Sequence, residues 1–389
     1  MVTTGLENLI LNPPAYLIGR RLGLLCNPAS VDSSFNHASR MINKHFPGQL
    51  KVLFSPQHGY YAEKQDNMIE SHHFLEPFLN IPVYSLYGET RIPTVHMFDN
   101  IDVLIVDIQD VGTRVYTFIY TVSYCLEIAA RLKKQVVILD RPNPVGGLQI
   151  EGNLLSKEFS SFVGRYEIPM RHGMTIGEIC SFFNTRHQIG CDLRIIPMTG
   201  WKRSMYWRDT GLPWVAPSPN LPTPESAMVY PGQVIFEGTN VSEGRGTTQP
   251  FEIFGAPYIN CEQILQDVQN KLPGLHLRPV SFEPTSGKWQ GSICNGFQIH
   301  ILSKQTYQPY YASLLLLQSI MRHHKQDFAY KMPPYEYEYI KMPIDLILGS
   351  KWLRLQIESF EDISQILAQQ QPELDQFRQL TRAVYQYDE

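Results

Sequence analysis

Residues Asp102–Phe118, DVLIVDIQDVGTRVYTF, set the fold class of this chain. Val103 to Val106 form an unbroken apolar run, mostly β-branched. A strand without polar alternation is covered on both faces, as strands of parallel sheets are. The run then breaks into Asp107, Ile108, Gln109, Asp110, Val111, Gly112, Thr113 and Arg114. In open α/β sheets, ligands bind in the crevice beyond the carboxyl ends of the strands. Val136 to Leu139 repeats the pattern, running into Asp140, Arg141, Pro142, Asn143, Pro144 and Gly146-Gly147. Two buried strands with such endings predict one polar site at one edge of one sheet.

Outward from this pair, Leu22–Cys26, Lys51–Phe54 and Ile81–Leu86 read as further strands. They end in Asn27-Pro28-Ala29-Ser30, Ser55-Pro56-Gln57-His58-Gly59 and Tyr87-Gly88-Glu89-Thr90-Arg91. Helical spacing at His37–Phe46 and Tyr116–Leu132 completes the alternation of a doubly wound α/β domain. An amphipathic lead-in over residues 1 to 20 is stopped by Pro13-Pro14. No GxGxxG follows the first strand, so no ordinary dinucleotide site is supported. Thr175 to His187 reads as a helix, with Thr175 as N-cap and Glu178 completing a capping box, and Asp192–Met198 as a strand. Pro217 to Glu225 carries four prolines and reads as a rigid, extended loop. From about Gly255 the pattern is α+β: helices at Cys261–Asn270 and Tyr310–His323, strands at His276–Phe282 and Gly296–Ile301. The expected division is 1–250, a large α/β domain carrying most site loops, and 251–389, a smaller α+β domain.

A length of 389 residues fits two domains. Hydrophobic content of 43%, charged content of 18% and a net charge of −4 describe a globular protein without a nucleic-acid surface. The six cysteines are far apart with no CxxC, which predicts reduced thiols and a reducing compartment. The N-terminal MVTTGLENLILNPPAYLIGRR lacks a leader pattern, and no apolar run spans a bilayer, so a cytoplasmic protein with no membrane partner is expected. His72-His73 and His323-His324 lack ligand spacing, so no metal is expected. HExxH, GxSxG and GK[ST] are absent.

The sharpest remaining segment is Glu237 to Thr248, EGTNVSEGRGTT, a tight glycine-rich loop with two Glu and one Arg. Its plain alternative is a surface turn. Arg171-His172-Gly173 precedes the capped helix, and His58 lies just past a strand; in both places local structure competes with function. Glu63, Asp107, Asp110, Asp140, Glu151, Glu237 and Glu243 are loop carboxylates, and paired carboxylates across a cleft are what glycosidic cleavage requires. Trp201, Tyr206, Trp207 and Trp214 suit either stacking on a sugar or plain core packing. Arg114, Arg171 and Arg245 would suit a carboxylate on the ligand through their bidentate forks. The composition of these loops fits an anionic sugar better than a neutral one.

Taken together, the strings SPQHG from Ser55, PVYSLYGET from Pro82, DIQDVGTRVYTF from Asp107, LDRPNPVGG from Leu139, EG at Glu151, PMRHGMTIGE from Pro169, GWKR from Gly200, PSPNLPTPE from Pro217 and EGTNVSEGRGTTQPFE from Glu237 resemble the exo-acting β-N-acetylmuramidases. That family was long catalogued as the domain of unknown function DUF1343 and is grouped as glycoside hydrolase family 171. The strings run in family order over roughly residues 20 to 389. The resemblance implies a Rossmann-like N-terminal domain, a smaller C-terminal domain, and a site in the cleft between them. It also implies release of N-acetylmuramic acid from the non-reducing end of peptidoglycan fragments, in cell-wall turnover. Many relatives carry Glu, a proposed catalytic acid, where this chain has Gln57, and an amide cannot donate that proton. Either another carboxylate serves, with Glu63 or Glu243 as candidates, or the scaffold has a different activity.

The resulting expectation is a glycosidase with Glu243 and Asp107 as the acting carboxylates and His58, Gln57 and Asp110 beside them. Arg114, Arg171 and Arg245 would hold the lactyl carboxylate. Asn143, Asn220 and Asn240 would read hydroxyls and the acetamido group, with Glu151 and His172 completing the binding set. Asp140 and Arg141 would brace the loops. No cofactor is called for, the partner is a muramic-acid-containing saccharide, and an oligomer is compatible with the sequence. The competing reading is a non-catalytic or altered-specificity amino-sugar-binding homologue.

Overall fold

A computed structural model describes residues 1–66 and 68–389. Ten strands occur among these residues: β1 Leu22–Cys26, β2 Leu50–Ser55, β3 Phe74–Glu76, β4 Ile81–Ser85, β5 Val103–Asp107, β6 Gln135–Leu139, β7 Asp192–Ile196, β8 Ile253–Ala256, β9 Leu275–Phe282 and β10 Cys294–Ile301. The first seven form one sheet in the order β3-β4-β2-β1-β5-β6-β7, parallel except for β3 at the edge. The other three form an antiparallel sheet with β10 in the middle. The chain is a Rossmann-like doubly wound α/β unit joined to a smaller α+β part.

The uniform apolarity of the central strands is explained by their two faces. Leu25, Phe54, Leu104, Val106, Val136 and Ile138 point into one cluster, with Ile119, Val122 and Leu126 of helix Phe118–Arg131 and Ile179 and Phe183 of helix Ile176–Arg186. Leu24, Leu53, Ile105, Val137 and Leu139 point the other way, onto Leu6 and Leu9 of helix Gly5–Leu11 and Ile42 of helix Ala38–His45. Each such buried aliphatic contributes about 1.5–3 kcal/mol. The first cluster continues without a break into Phe254, Phe297, Leu314 and Leu346, so the two parts share one core.

The capping box at Thr175 forms as the sequence predicts: its side chain accepts from Glu178 N–H, and Glu178 accepts from Thr175 N–H. The extended proline segment ends earlier than expected. Pro224 opens helix Pro224–Gln233, because Thr223 caps it and proline loses no hydrogen bond at the first helical position. β3, β8 and the helices Pro343–Leu348 and Lys351–Glu358 are too short to leave a periodic trace in the sequence. All six cysteines are unbonded to one another, five of them buried. No helix among the described residues is long and apolar enough to cross a membrane.

Candidate active site

β1 is the point where the strand order reverses, with β2 on one side and β5 on the other. The crevice directly outside β1 and β5 is filled by the chain itself. Asn27 Nδ2 donates to the Pro217 carbonyl at 2.9 Å, and the Arg141 fork closes on Asp107 at 2.5 and 2.8 Å. The open cleft lies one strand over. Gln57 and His58, following β2, meet Tyr116 and Thr117, from the turn after β5. Tyr230, Glu237 and Arg245 close it from the glycine-rich side, and Tyr335 and Glu336 reach in from the segment 331–341. The space between these groups is narrow, about 30 Å³, the room of a single water molecule.

Two glutamates face this space in different company. Glu237 accepts from Arg245 Nη2 at 2.6 Å and from the Tyr335 hydroxyl at 2.7 Å. Glu336 accepts from the Tyr87 hydroxyl at 2.6 Å and from Gln57 Nε2 at 3.1 Å. Gln57 in turn accepts from the Thr117 hydroxyl at 2.6 Å, a group that would otherwise cap the helix starting at Phe118. Burial above all keeps the Glu336 carboxyl higher than the usual glutamate range; the Tyr87 bond opposes this, and the Glu237 charge adds to it. Glu336 and its neighbour Tyr337 both hold positive φ, 45° and 66°, a conformation that costs a side-chain-bearing residue of order 1–2 kcal/mol.

His58 also holds positive φ, 74°, in the turn that leads to Gly59. Its Nδ1–H donates to the Lys64 carbonyl at 2.6 Å, and burial lowers its pKa to about 4. The ring is therefore neutral at pH 7, with a lone pair on Nε2. Glu243 sits behind Arg245: Lys288 Nζ donates to it at 2.7 Å and Arg245 Nε lies 3.2 Å away. Burial works against its charge, but Lys288 and Arg245 outweigh this and lower its pKa.

The remaining residues singled out in the sequence build the walls. Arg114 is fully buried and donates to the carbonyls of Asn153, Ile168, Ile347 and Leu348 at 2.7–3.1 Å. Arg171 pairs with Glu151 at 2.6 Å, and backbone bridges tie it to Thr113 and Glu151. His172 Nε2 lies 3.3 Å from Asp110, which also accepts from Gly112 N–H. Gly112 has φ 74°, and a Cβ there would lie 2.4 Å from Asn143 Oδ1. Asn143 itself holds Met174 O and Val145 N–H, and Asn240 holds Asp327 O, Ala329 N–H and the Tyr258 hydroxyl. Asn220 donates to Gln65 O on the outer side of the loop. Asp140 accepts from Thr175, Gly177 and Tyr387, bracing the loops as expected. The aromatic cluster is core: Trp207 packs edge-on against Trp214 at 4.9 Å, and Trp201 against Tyr387 at 5.1 Å. Of the expected set, Gln57, His58 and Arg245 line the cleft. Asp107, Asp110, Arg114, Asn143, Glu151, Arg171 and His172 form the frame behind it.

Glu336 escapes a reading that looks for carboxylates after strands, since it lies in KMPPYEYEYIK, residues 331–341, far from any strand of the large sheet. Its one sequence signal is the alternation of Tyr and Glu between prolines and lysine. Among the described residues, no group of three or more His, Cys, Asp or Glu side chains is placed to hold a metal ion.

Comparison with known proteins agrees with this architecture. Profiles described as exo-β-N-acetylmuramidase NamZ, N-terminal and C-terminal, match residues 22–225 and 228–387. The peptidoglycan β-N-acetylmuramidase NamZ of Bacillus subtilis (strain 168) is 40% identical over 386 residues, 99% of this chain and 91% of that protein. A crystal structure of a DUF1343 family protein from Bacteroides fragilis NCTC 9343 superposes with a TM-score of 0.89 at 32% identity, covering 100% of this chain and 99% of that one. A second protein of that family from the same organism gives 0.79 at 25% identity, again over 100% and 99%. Both matched profiles, the near full-length relative and the shared fold place the chain in the exo-β-N-acetylmuramidase family.

Proposed function

We propose that this chain is an exo-acting glycoside hydrolase that releases N-acetylmuramic acid from the non-reducing end of peptidoglycan fragments. The observation that carries this reading, beside family membership, is the pair of buried glutamates lining one cleft, Glu237 and Glu336, with different partners. Cleavage of a glycosidic bond needs two such carboxyl groups in different protonation states, and no cofactor. Arg245, paired with Glu237 and Glu243, is the one of the three expected arginines that lines the cleft, and it is the residue assigned to the lactyl carboxylate. Arg114 and Arg171 direct their Nη groups to the frame.

The test is hydrolysis of a chromogenic N-acetylmuramide beside the matching N-acetylglucosaminide. Turnover of the muramide alone is expected. Equal turnover of both, or of neither, overturns the reading.

A further inference from the structure

Position 57 is where a carboxyl would be expected from the family resemblance, and here it holds an amide. The amide is not idle. Its Nε2 points at one oxygen of Glu336, and its Oε1 is claimed by Thr117. The other Glu336 oxygen takes the Tyr87 hydroxyl. Each carboxyl oxygen keeps a lone-pair position beyond those bonds, so the group has room for a proton while it stays held. The side chain is 4% exposed and lines the cleft opposite the Glu237–Arg245 pair. Tyr337, next in the chain, is clamped by the Arg91 guanidinium 3.2 Å over its ring, which fixes the backbone that carries Glu336.

We propose that Glu336 is the proton donor to the glycosidic oxygen in this chain, and that Gln57 is a positioning residue that aims it. This rests on the glycosidase reading above. As the bond from C1 to the leaving oxygen breaks, its electron pair stays on that oxygen, which takes the proton of Glu336 and departs as a hydroxyl. Water supplies the new oxygen at C1 and gives up one proton to a glutamate of the cleft, so atoms and charge balance over the cycle. Burial outweighs the Tyr87 and Gln57 bonds, which favour the charged form, and lets Glu336 keep its proton closer to neutral pH than an exposed glutamate would. A carboxyl at position 57 would face Glu336 across the 3.1 Å now spanned by a hydrogen bond, and the two would compete for one proton. The amide removes that competition and leaves the proton at this corner to Glu336.

The experiment compares wild type and Glu336→Gln on two substrates. One is the disaccharide N-acetylmuramyl-N-acetylglucosamine, whose sugar leaving group needs protonation; the other is an aryl N-acetylmuramide with an acidic phenol, which does not. For the variant, kcat on the disaccharide is expected to fall by about 10²–10⁴-fold, and on the aryl substrate by less than about tenfold. Equal losses on both, or no loss, overturn the proposal while leaving the glycosidase reading intact. Failure of the wild type on both substrates overturns the glycosidase reading itself, and the proposal with it. Tyr87→Phe is the second variant, because it keeps the carboxyl and removes one bond that stabilises its charge. Its alkaline limb of kcat/KM is expected to move to higher pH. An unmoved limb in an active Tyr87→Phe enzyme would mean that the donor is another group.

Discussion

Asp107→Asn separates a framework role from a catalytic one. The Asp107 side chain is fully buried, that of Arg141 is 3% exposed, and two bonds of 2.5 and 2.8 Å join them. Arg141 Nη2 also donates to the Val31 carbonyl at 3.0 Å. An amide at 107 removes the charge and turns an N–H donor toward a fork of donors. Breaking a buried ion pair from one side costs about 3–5 kcal/mol, because the surviving charge stays buried. With an unfolding entropy of about 2.1 cal/mol/K per residue over 389 residues, roughly 0.8 kcal/mol/K, that cost lowers Tm by about 4–6 °C. Thermal unfolding followed by fluorescence measures the shift, and turnover is then assayed well below the midpoint. A framework residue costs less than tenfold in kcat there, against about 10²–10⁴-fold for a lost acid–base group. Loss of turnover on that larger scale, at an unchanged Tm, would refute the reasoning and return Asp107 to the chemistry.

Two further outcomes test the frame and the cleft. Burial first of all, with the Glu178 charge adding to it, raises the Asp140 pKa from 3.8 to about 6 against the bonds from Tyr387, Gly177 and Thr175. Between about pH 4 and 6 the folded state therefore binds more protons than the unfolded one, and stability falls as pH rises through that window, by about 3 kcal/mol in all. Asp140→Asn should flatten this part of the Tm–pH curve; an unchanged slope would show that another group titrates there. Glu243→Gln loosens Arg245 and Lys288 without removing a cleft-lining carboxyl. It should raise KM more than it lowers kcat and leave the pH profile in shape, whereas disappearance of one limb would make Glu243 the acid or base.

The local sequence determined a large share of this protein. Unbroken apolar runs at Val103–Val106 and Val136–Leu139 mean strands covered on both faces, and the structure puts alternate residues of each into two separate clusters. The Thr175–Glu178 capping box and the reversal to an α+β pattern after Gly255 depend on near neighbours alone, so they are legible without coordinates. What tertiary structure decided is which polar residues face the ligand. A carboxylate after a strand looks the same whether it braces a loop or lines a cleft; the difference is the partner, and partners come from afar. Asp107 is claimed by Arg141, 34 positions away. Glu336 meets Gln57 across 279 positions, carried there by a loop with no strand, glycine or cap to mark it. Periodicity reports how a segment meets the core, because burial repeats with the geometry of strand and helix. It carries no record of which two distant side chains share a hydrogen bond, and that sharing separates the cleft from its frame.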